Sequence, residues 1–254
     1  VSPPEQPGAG PAAELLVRYG ELMFRWRNLA FPLVSLALFA AFHPLPPGDG
    51  PGLASDLAGI ALALAGQALR VAVVGLAYIK RGGMDKRVYA DELVTGGLFG
   101  HCRNPLYVGN ALILLGLLLI HGAPEVIALG ALFFAVTYRA IVAAEERYLE
   151  ARFGAAYRDY CRRVPRWGLR LAGMRETLAS MRFNWRRVLA KEYSSFASAV
   201  LAACALLAYE VLSAGDGGGS ALLIGVVVAA AAVVVATLAV RLLKKGGKLR
   251  EGTA

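Results

Sequence analysis

The sequence predicts an all-α integral membrane protein with about six transmembrane helices and further amphipathic helices lying in the interface. Three observations predict it. Hydrophobic residues make up 57% of the 254 positions and the mean hydropathy is +0.53, above the roughly 45 to 50% apolar content of an ordinary soluble domain. Apolar runs recur at about 29–43, 55–79, 105–121, 125–143, 195–213 and 221–243, each near the ~17 to 25 residues that a spanning helix requires. The connections at 44–54, 121–125 and 214–220 contain no Lys or Arg, whereas the opposite connections and both termini carry nearly all of them. By the positive-inside rule both termini are expected in the cytoplasm.

The same placement interprets the net charge of +9. Basic residues confined to one side set topology and contact anionic lipid, and no basic and aromatic ladder points to nucleic acid. The three cysteines, Cys102, Cys161 and Cys204, show no CxxC spacing and no neighbouring histidine cluster, so neither a disulfide framework nor a zinc site is expected.

Residues 1–11 are rich in Pro and Gly and read as a disordered lead-in rather than a signal peptide. From Glu14 to Asn28, Leu15, Leu16, Tyr19, Leu22, Met23 and Trp26 recur at helical spacing with Arg18, Arg25 and Arg27 among them. This is the pattern of an interfacial helix feeding the first span, and together they occupy 12–54. The second span contains Arg70, with Gln67 three residues earlier on the same helical face. An arginine inside a span costs about 2.5 to 3.5 kcal/mol on insertion scales, so it must face protein, water or a ligand. Arg70 is expected either to line a site open to the inner leaflet or to pair with a buried carboxylate such as Glu145 or Glu146.

The next connection, Lys80 to Arg103, carries Lys80, Arg81, Asp85, Lys86, Arg87, Asp91 and Glu92 and ends in Gly96-Gly97-Leu98-Phe99-Gly100. The glycines suit a turn and also permit close approach of a ligand to main-chain N–H groups. Arg103-Asn104-Pro105-Leu106-Tyr107 follows. Pro105 fits the first turn of the third span with Asn104 as N-cap, and the free helix start beside Arg103 and Tyr107 favours an anionic group such as a carboxylate.

The fourth span contains Arg139 and continues into Glu145-Glu146. Adjacent carboxylates point about 100° apart on a helix, so one is expected to face the pocket and the other a basic partner. Beyond them Leu149, Phe153, Tyr157, Tyr160 and Val164 share a face and Pro165 closes the run before Arg166, a pattern of packing rather than chemistry.

The ordered set Gln67-x-x-Arg70, Gly97-Leu98-Phe99, Arg103-Asn104-Pro105-Leu106-Tyr107-x-Gly109, then Glu145-Glu146 through Phe153-Gly154 to Val164-Pro165-Arg166 resembles the isoprenylcysteine carboxyl methyltransferase and phospholipid methyltransferase superfamily. The resemblance covers about 56–168 and implies a methyltransferase core over 55–168. Asn104 stands where the family usually has histidine. The resemblance implies S-adenosylmethionine as cofactor, with S-adenosylhomocysteine as product, enclosed at the cytoplasmic end of the bundle. It further implies a lateral opening for an amphiphilic or lipid-like acceptor. Cofactor-binding residues are then expected at Gly97, Leu98, Phe99, Arg103, Asn104, Pro105, Tyr107, Glu145 and Glu146. Arg70, Arg139, Glu146 and Arg166 are expected to act on the acceptor, and no metal is required.

The segment 169–254 adds a basic interfacial helix, in which Met174, Leu178, Met181, Trp185 and Val188 repeat at helical steps, and two more spans. Glu210 lies near the outer end of the fifth. Small residues in the sixth, including Gly225 and Ala229 to Ala232, allow close packing, a lipid-facing flank or a homodimer interface. His43, His101 and His121 are read as isolated turn or interface residues. Two other functions fit the same architecture: a sterol-reductase-like enzyme using NADPH, and a non-catalytic protein that binds membrane lipid. The glutamate pair suits an ammonium better than a 2′-phosphate, and its presence argues for a working site.

Overall fold

The structure, a computed structural model, describes residues 10–46, 50–76, 90, 92–214, 219–247 and 249. Residues 1–9 of the expected lead-in and the loop charges Lys80, Arg81, Asp85, Lys86, Arg87 and Asp91 lie outside them. The described residues form α1 (Pro11–Ala41), α2 (Pro51–Leu76), a 3₁₀ turn (Gly97–Gly100), α3 (Pro105–His121), α4 (Pro124–Phe153), α5 (Ala155–Arg163), α6 (Met174–Ser180), α7 (Trp185–Ala214) and α8 (Ser220–Lys245). No strand occurs among the described residues. The protein is an all-α membrane protein, and α2, α4, α7 and α8 are each long and apolar enough to cross a bilayer. The remaining two apolar runs behave differently: α3 is apolar throughout but 17 residues long, and in α1 the apolar stretch is only the second half.

Two boundaries differ from those expected. The interfacial segment and the first apolar run are one continuous helix, α1, which passes through Pro32. Proline removes a single backbone donor, and ending the helix there would expose many more polar groups to hydrocarbon. The basic interfacial segment beginning at Met174 is instead divided between α6 and the start of α7, with Met181 in extended conformation between them. The break is held by Asn184: its side-chain Oδ1 accepts the Arg187 backbone N–H at 3.0 Å as a cap. Its own N–H donates to Gly75 O at 2.9 Å. A side chain at Gly75 would collide with the Phe183 ring, so glycine is what lets this segment reach the end of α2.

The helices pack as two compact units. The first takes Val1–Leu36, Ala77–Tyr107 and Leu132–Met181; the second takes Ala37–Leu76, Val108–Ala131 and Arg182–Ala254. In the first, α1 lies on α4. The Tyr19 and Thr137 hydroxyls are 3.0 Å apart, Gly20 sits against the Ala140 backbone, and the Phe31 ring meets Phe134 and Tyr138 edge-on at 5.2 and 5.3 Å. Gly154, with φ +53°, separates α4 from α5. Tyr157, Tyr160 and Val164 then pack with Leu149, Phe153 and Leu93, so the face seen in the sequence is a core.

In the second unit, α2 and α3 run antiparallel along a glycine seam. Gly59 lies on Gly116 and Gly66 on Gly109 so closely that a Cβ at any of the four would meet the facing backbone. This is the small-residue packing that membrane helices use where hydrophobicity gives no drive for association. In α8 a Cβ at Gly225 would meet nothing within 4 Å and the helix is exposed along most of its length, as expected of the lipid-facing flank that was one of the alternatives for this span.

Candidate functional site

The expected cofactor residues in the first unit converge on the start of α3 and the end of the α4 span. The 3₁₀ turn Gly97–Gly100 carries Leu98, which is buried, and Gly97 at φ +60°. The chain then folds against the segment after α5: Arg103 N–H donates to Pro165 O and Arg170 N–H to His101 O, both at 2.9 Å. His101 closes this clamp from within. Its Nδ1–H donates to Arg170 O at 2.7 Å, and in the neutral ring Nε2 accepts the Thr177 hydroxyl at 2.8 Å. The Tyr160 hydroxyl donates to Phe99 O at 2.8 Å, tying α5 to the turn. Asn104 immediately precedes Pro105, the first residue of α3. Its side-chain amide N–H donates to Arg166 O at 3.1 Å.

The two adjacent glutamates have different partners. Glu146 accepts Arg103 Nη1 at 2.9 Å and Arg166 Nε at 3.0 Å, and pairs again with Arg166 Nη2. It is therefore neutralised twice, and it ties α4 to the α3 start and to the segment after α5. Glu145 accepts the Tyr107 hydroxyl at 2.7 Å and makes no other hydrogen bond among the described residues. The Tyr107 ring also meets Tyr138 at 5.4 Å. Arg103, besides holding Glu146, donates to Cys161 Sγ, and its Nε is buried without a partner among the described residues.

Electrostatics near α5 follow from this arrangement. Burial, the largest single influence, lowers the Arg103 guanidinium's affinity for its proton, but the Glu146 carboxylate together with Cys161 and Tyr157 outweighs it and holds the pKa above the usual value. Burial, and then Glu146, push the Tyr157 hydroxyl well up; burial does the same for Tyr160. Both hydroxyls thus keep their protons at physiological pH.

The remaining expected residues have other surroundings. Arg139 is exposed on α4. Arg70 belongs to the second unit, where its Nε and Nη2 take both oxygens of Glu192 at 2.9 Å each, with Ser195 Oγ at 3.2 Å and Asn110 beside them. Its carboxylate partner is therefore Glu192 of α7, not Glu145 or Glu146. Gln67, one turn earlier, is buried with both side-chain polar atoms unpartnered among the described residues.

With this geometry in hand, comparison with known proteins gives a consistent result. Residues 56–156 match the phospholipid methyltransferase family. The resemblance holds. The matched segment contains Arg70, Arg103, Tyr107 and both glutamates, while α1 and the α7 partner of Arg70 lie beyond it. Among curated proteins the chain is similar to the cobalt-zinc-cadmium resistance protein CzcN of Cupriavidus metallidurans, 41% identical over 82 residues, 32% of this chain and 38% of that protein. It is also similar to the nickel-cobalt-cadmium resistance protein NccN of Alcaligenes xylosoxydans xylosoxydans, 38% identical over 81 residues, again 32% and 38% of the two chains. The similarity thus spans less than two fifths of either relative. No solved structure matches this chain significantly.

Reading from the sequence did not single out His101 or Glu192 as contributors. Nothing near His101 announces its partners, which lie about seventy residues downstream. Glu192 had a signal, since an acidic residue just inside an apolar helix implies a buried cation.

Proposed function

We propose that this protein is an integral membrane methyltransferase that uses S-adenosylmethionine and acts on a lipid-like or hydrophobic acceptor at the cytoplasmic face. The observation that carries this reading is the unequal partnering of Glu145 and Glu146 inside the matched segment. A carboxylate clamped by two arginines serves architecture; its neighbour, holding only a tyrosine hydroxyl, has acceptor capacity left for a ligand ammonium. Guanidinium nitrogens on Arg103 and Arg27 that lack a partner among the described residues add donors for a carboxylate. This donor set fits a methionine zwitterion.

When bound, S-adenosylmethionine supplies an electrophilic methyl group on a positively charged sulfur. Glu145 holds the ammonium end, and Tyr107 fixes the orientation of that carboxylate. Gly97, Leu98 and Phe99 supply main-chain groups and apolar surface for the adenosine part. Asn104 and Pro105 set the start of α3, and Glu146 with Arg103 and Arg166 keeps the walls in register. Because methyl transfer is a displacement in line, the protein's contribution is alignment and exclusion of water rather than proton transfer through a dedicated base. Arg139, exposed on α4, is assigned to an anionic group of the acceptor. Arg70, held by Glu192, acts through the packing of its own unit.

The cytoplasmic placement rests on the charge bias of the connections. The two relatives are named for resistance to cobalt, zinc, cadmium and nickel, so modification of a membrane component under metal exposure is the setting we propose for the activity. Loss of metal tolerance on deletion of the gene, restored by the wild-type protein and not by Glu145→Gln, is the expected result in cells.

The cofactor is tested by thermal unfolding of detergent-purified protein with S-adenosylmethionine, S-adenosylhomocysteine and NADPH in turn. Stabilisation by the first two is expected, because a ligand that binds only the folded state raises the midpoint. Stabilisation by NADPH alone would replace this reading with a reductase.

A further inference from the structure

In the second unit the start of α2 and the ends of α3 and α7 meet at one level. Ser55 Oγ–H donates to Leu119 O at 2.6 Å, Gly59 lies on Gly116 and Ile120, and Leu206 packs with Ile113, Leu117 and Ile120. The Tyr209 ring stands 6.3 Å from the ring of His121, which in turn stacks on Phe39 at 5.2 Å. Two polar side chains are enclosed at this level. His121 is 0% exposed, and Glu210, one turn after Leu206, is 1% exposed. Neither Glu210 oxygen has a hydrogen-bond partner among the described residues, and nor has His121 Nδ1.

These unpartnered atoms are all of one kind. His121 Nε2–H donates to Phe39 O at 3.3 Å, so in the neutral ring Nδ1 offers a lone pair, and a carboxylate offers lone pairs only. The half-buried Asp56, next to Ser55, adds a further carboxylate whose charge acts on Glu210. The complement that such a set calls for is a positive charge, because a buried carboxylate without one is costly. The chain does not supply it: no Lys or Arg occurs in 28–69, 104–138 or 193–240. Towards the other end of α2 the buried carboxylate Glu192 has its arginine, Arg70.

We propose that this end of the second unit is a cation site, with Glu210 and His121 Nδ1 as ligands and Asp56 at its edge. An imidazole nitrogen beside carboxylate oxygens suits zinc, cobalt or nickel better than magnesium or calcium. No three His, Cys, Asp or Glu side chains among the described residues enclose a metal position. Water or main-chain oxygens therefore complete the coordination, and the ion is exchangeable rather than structural. The site uses none of the residues assigned to the cofactor, so failure of the methyltransferase reading leaves it standing.

The test is equilibrium dialysis of the detergent-purified, chelator-stripped full chain against zinc, cobalt, magnesium or sodium chloride at equal ionic strength. The visible absorption of bound cobalt is a second readout. Wild type is compared with Glu210→Gln, His121→Gln and, as a control, Glu125→Gln, an exposed carboxylate at the start of α4. Wild type is expected to bind zinc and cobalt saturably, and Glu210→Gln to weaken this by about ten- to a hundredfold, as the loss of one charged ligand does. His121→Gln is expected to alter the cobalt spectrum, and Glu125→Gln to change nothing. Binding of magnesium or sodium alone, lost in Glu210→Gln, would support the site and reassign its ion. Equal binding by wild type and Glu210→Gln, or no binding of any cation, would overturn the proposal. Should Glu210→Gln not fold, His121→Gln carries the same comparison. Should neither fold, thermal unfolding of wild type decides, and a midpoint that none of the four salts raises would overturn the proposal.

Discussion

Tyr107 and Glu145 are joined by a hydrogen bond of 2.7 Å, while the neighbouring Glu146 is taken up by Arg103 and Arg166. Two residues that are equivalent in the sequence are thus assigned opposite tasks. Glu145→Gln is expected to leave unfolding unchanged within about 0.5 kcal/mol and to weaken S-adenosylhomocysteine binding at least about tenfold. Glu146→Gln strands two arginines and is expected to destabilise by about 1 to 3 kcal/mol. Denaturant titration beside ligand isotherms separates the two effects, and a reversed pattern would exchange the assigned roles.

The Arg70 and Glu192 pair calls for a double-mutant cycle. Both side chains are buried, so removing one leaves an uncompensated charge, at about 3 to 5 kcal/mol. Arg70→Met and Glu192→Leu are each expected to unfold readily in detergent, whereas the double variant regains most of the loss because an apolar pair of similar size needs no partner. A double variant no better than the singles would mean that Arg70 has a further task beyond this pairing.

Glycines in apolar helices are not equivalent here. Gly66→Leu places a side chain against the Gly109 backbone and is expected to abolish monodisperse protein, while Gly225→Leu meets open space and is expected to be silent. Size-exclusion chromatography of the two variants makes the comparison.

Thiol reactivity supplies a pH-dependent check. Cys102 is buried, and burial raises its pKa above the usual thiol value. The reactive thiolate is therefore scarcer at neutral pH than for a free cysteine, and labelling is expected to rise only when the pH exceeds that raised value or the protein unfolds. Maleimide labelling followed by peptide mass spectrometry measures it; rapid labelling of native protein at neutral pH would show that the loop before α3 opens.

Much of this molecule was legible before the structure. Apolar length announced the helices, and charge bias gave an expected orientation. The spacing of Leu149, Phe153, Tyr157, Tyr160 and Val164 announced a core that is present. Pattern reasoning erred where tertiary contacts intervene: the helical spacing from Met174 to Val188 was interrupted by the capping of Asn184 and the anchor at Gly75. Pairings between distant segments were the least accessible. The partner of Arg70 lies 122 residues away on α7, beyond the matched segment, and nothing short of the fold joins them. The seam of Gly59 and Gly66 with Gly109 and Gly116 was readable in principle, since each pair has the same seven-residue spacing that keeps one helical face.

The central claim is transfer of a methyl group, and one measurement addresses it directly. Wild-type protein and Glu145→Gln are reconstituted in vesicles of bacterial lipid extract and incubated with S-adenosylmethionine labelled with tritium in its methyl group. Label in the organic-extractable fraction is predicted for wild type and its loss for Glu145→Gln. Folded wild-type protein that binds no S-adenosylmethionine and transfers no label would contradict the account.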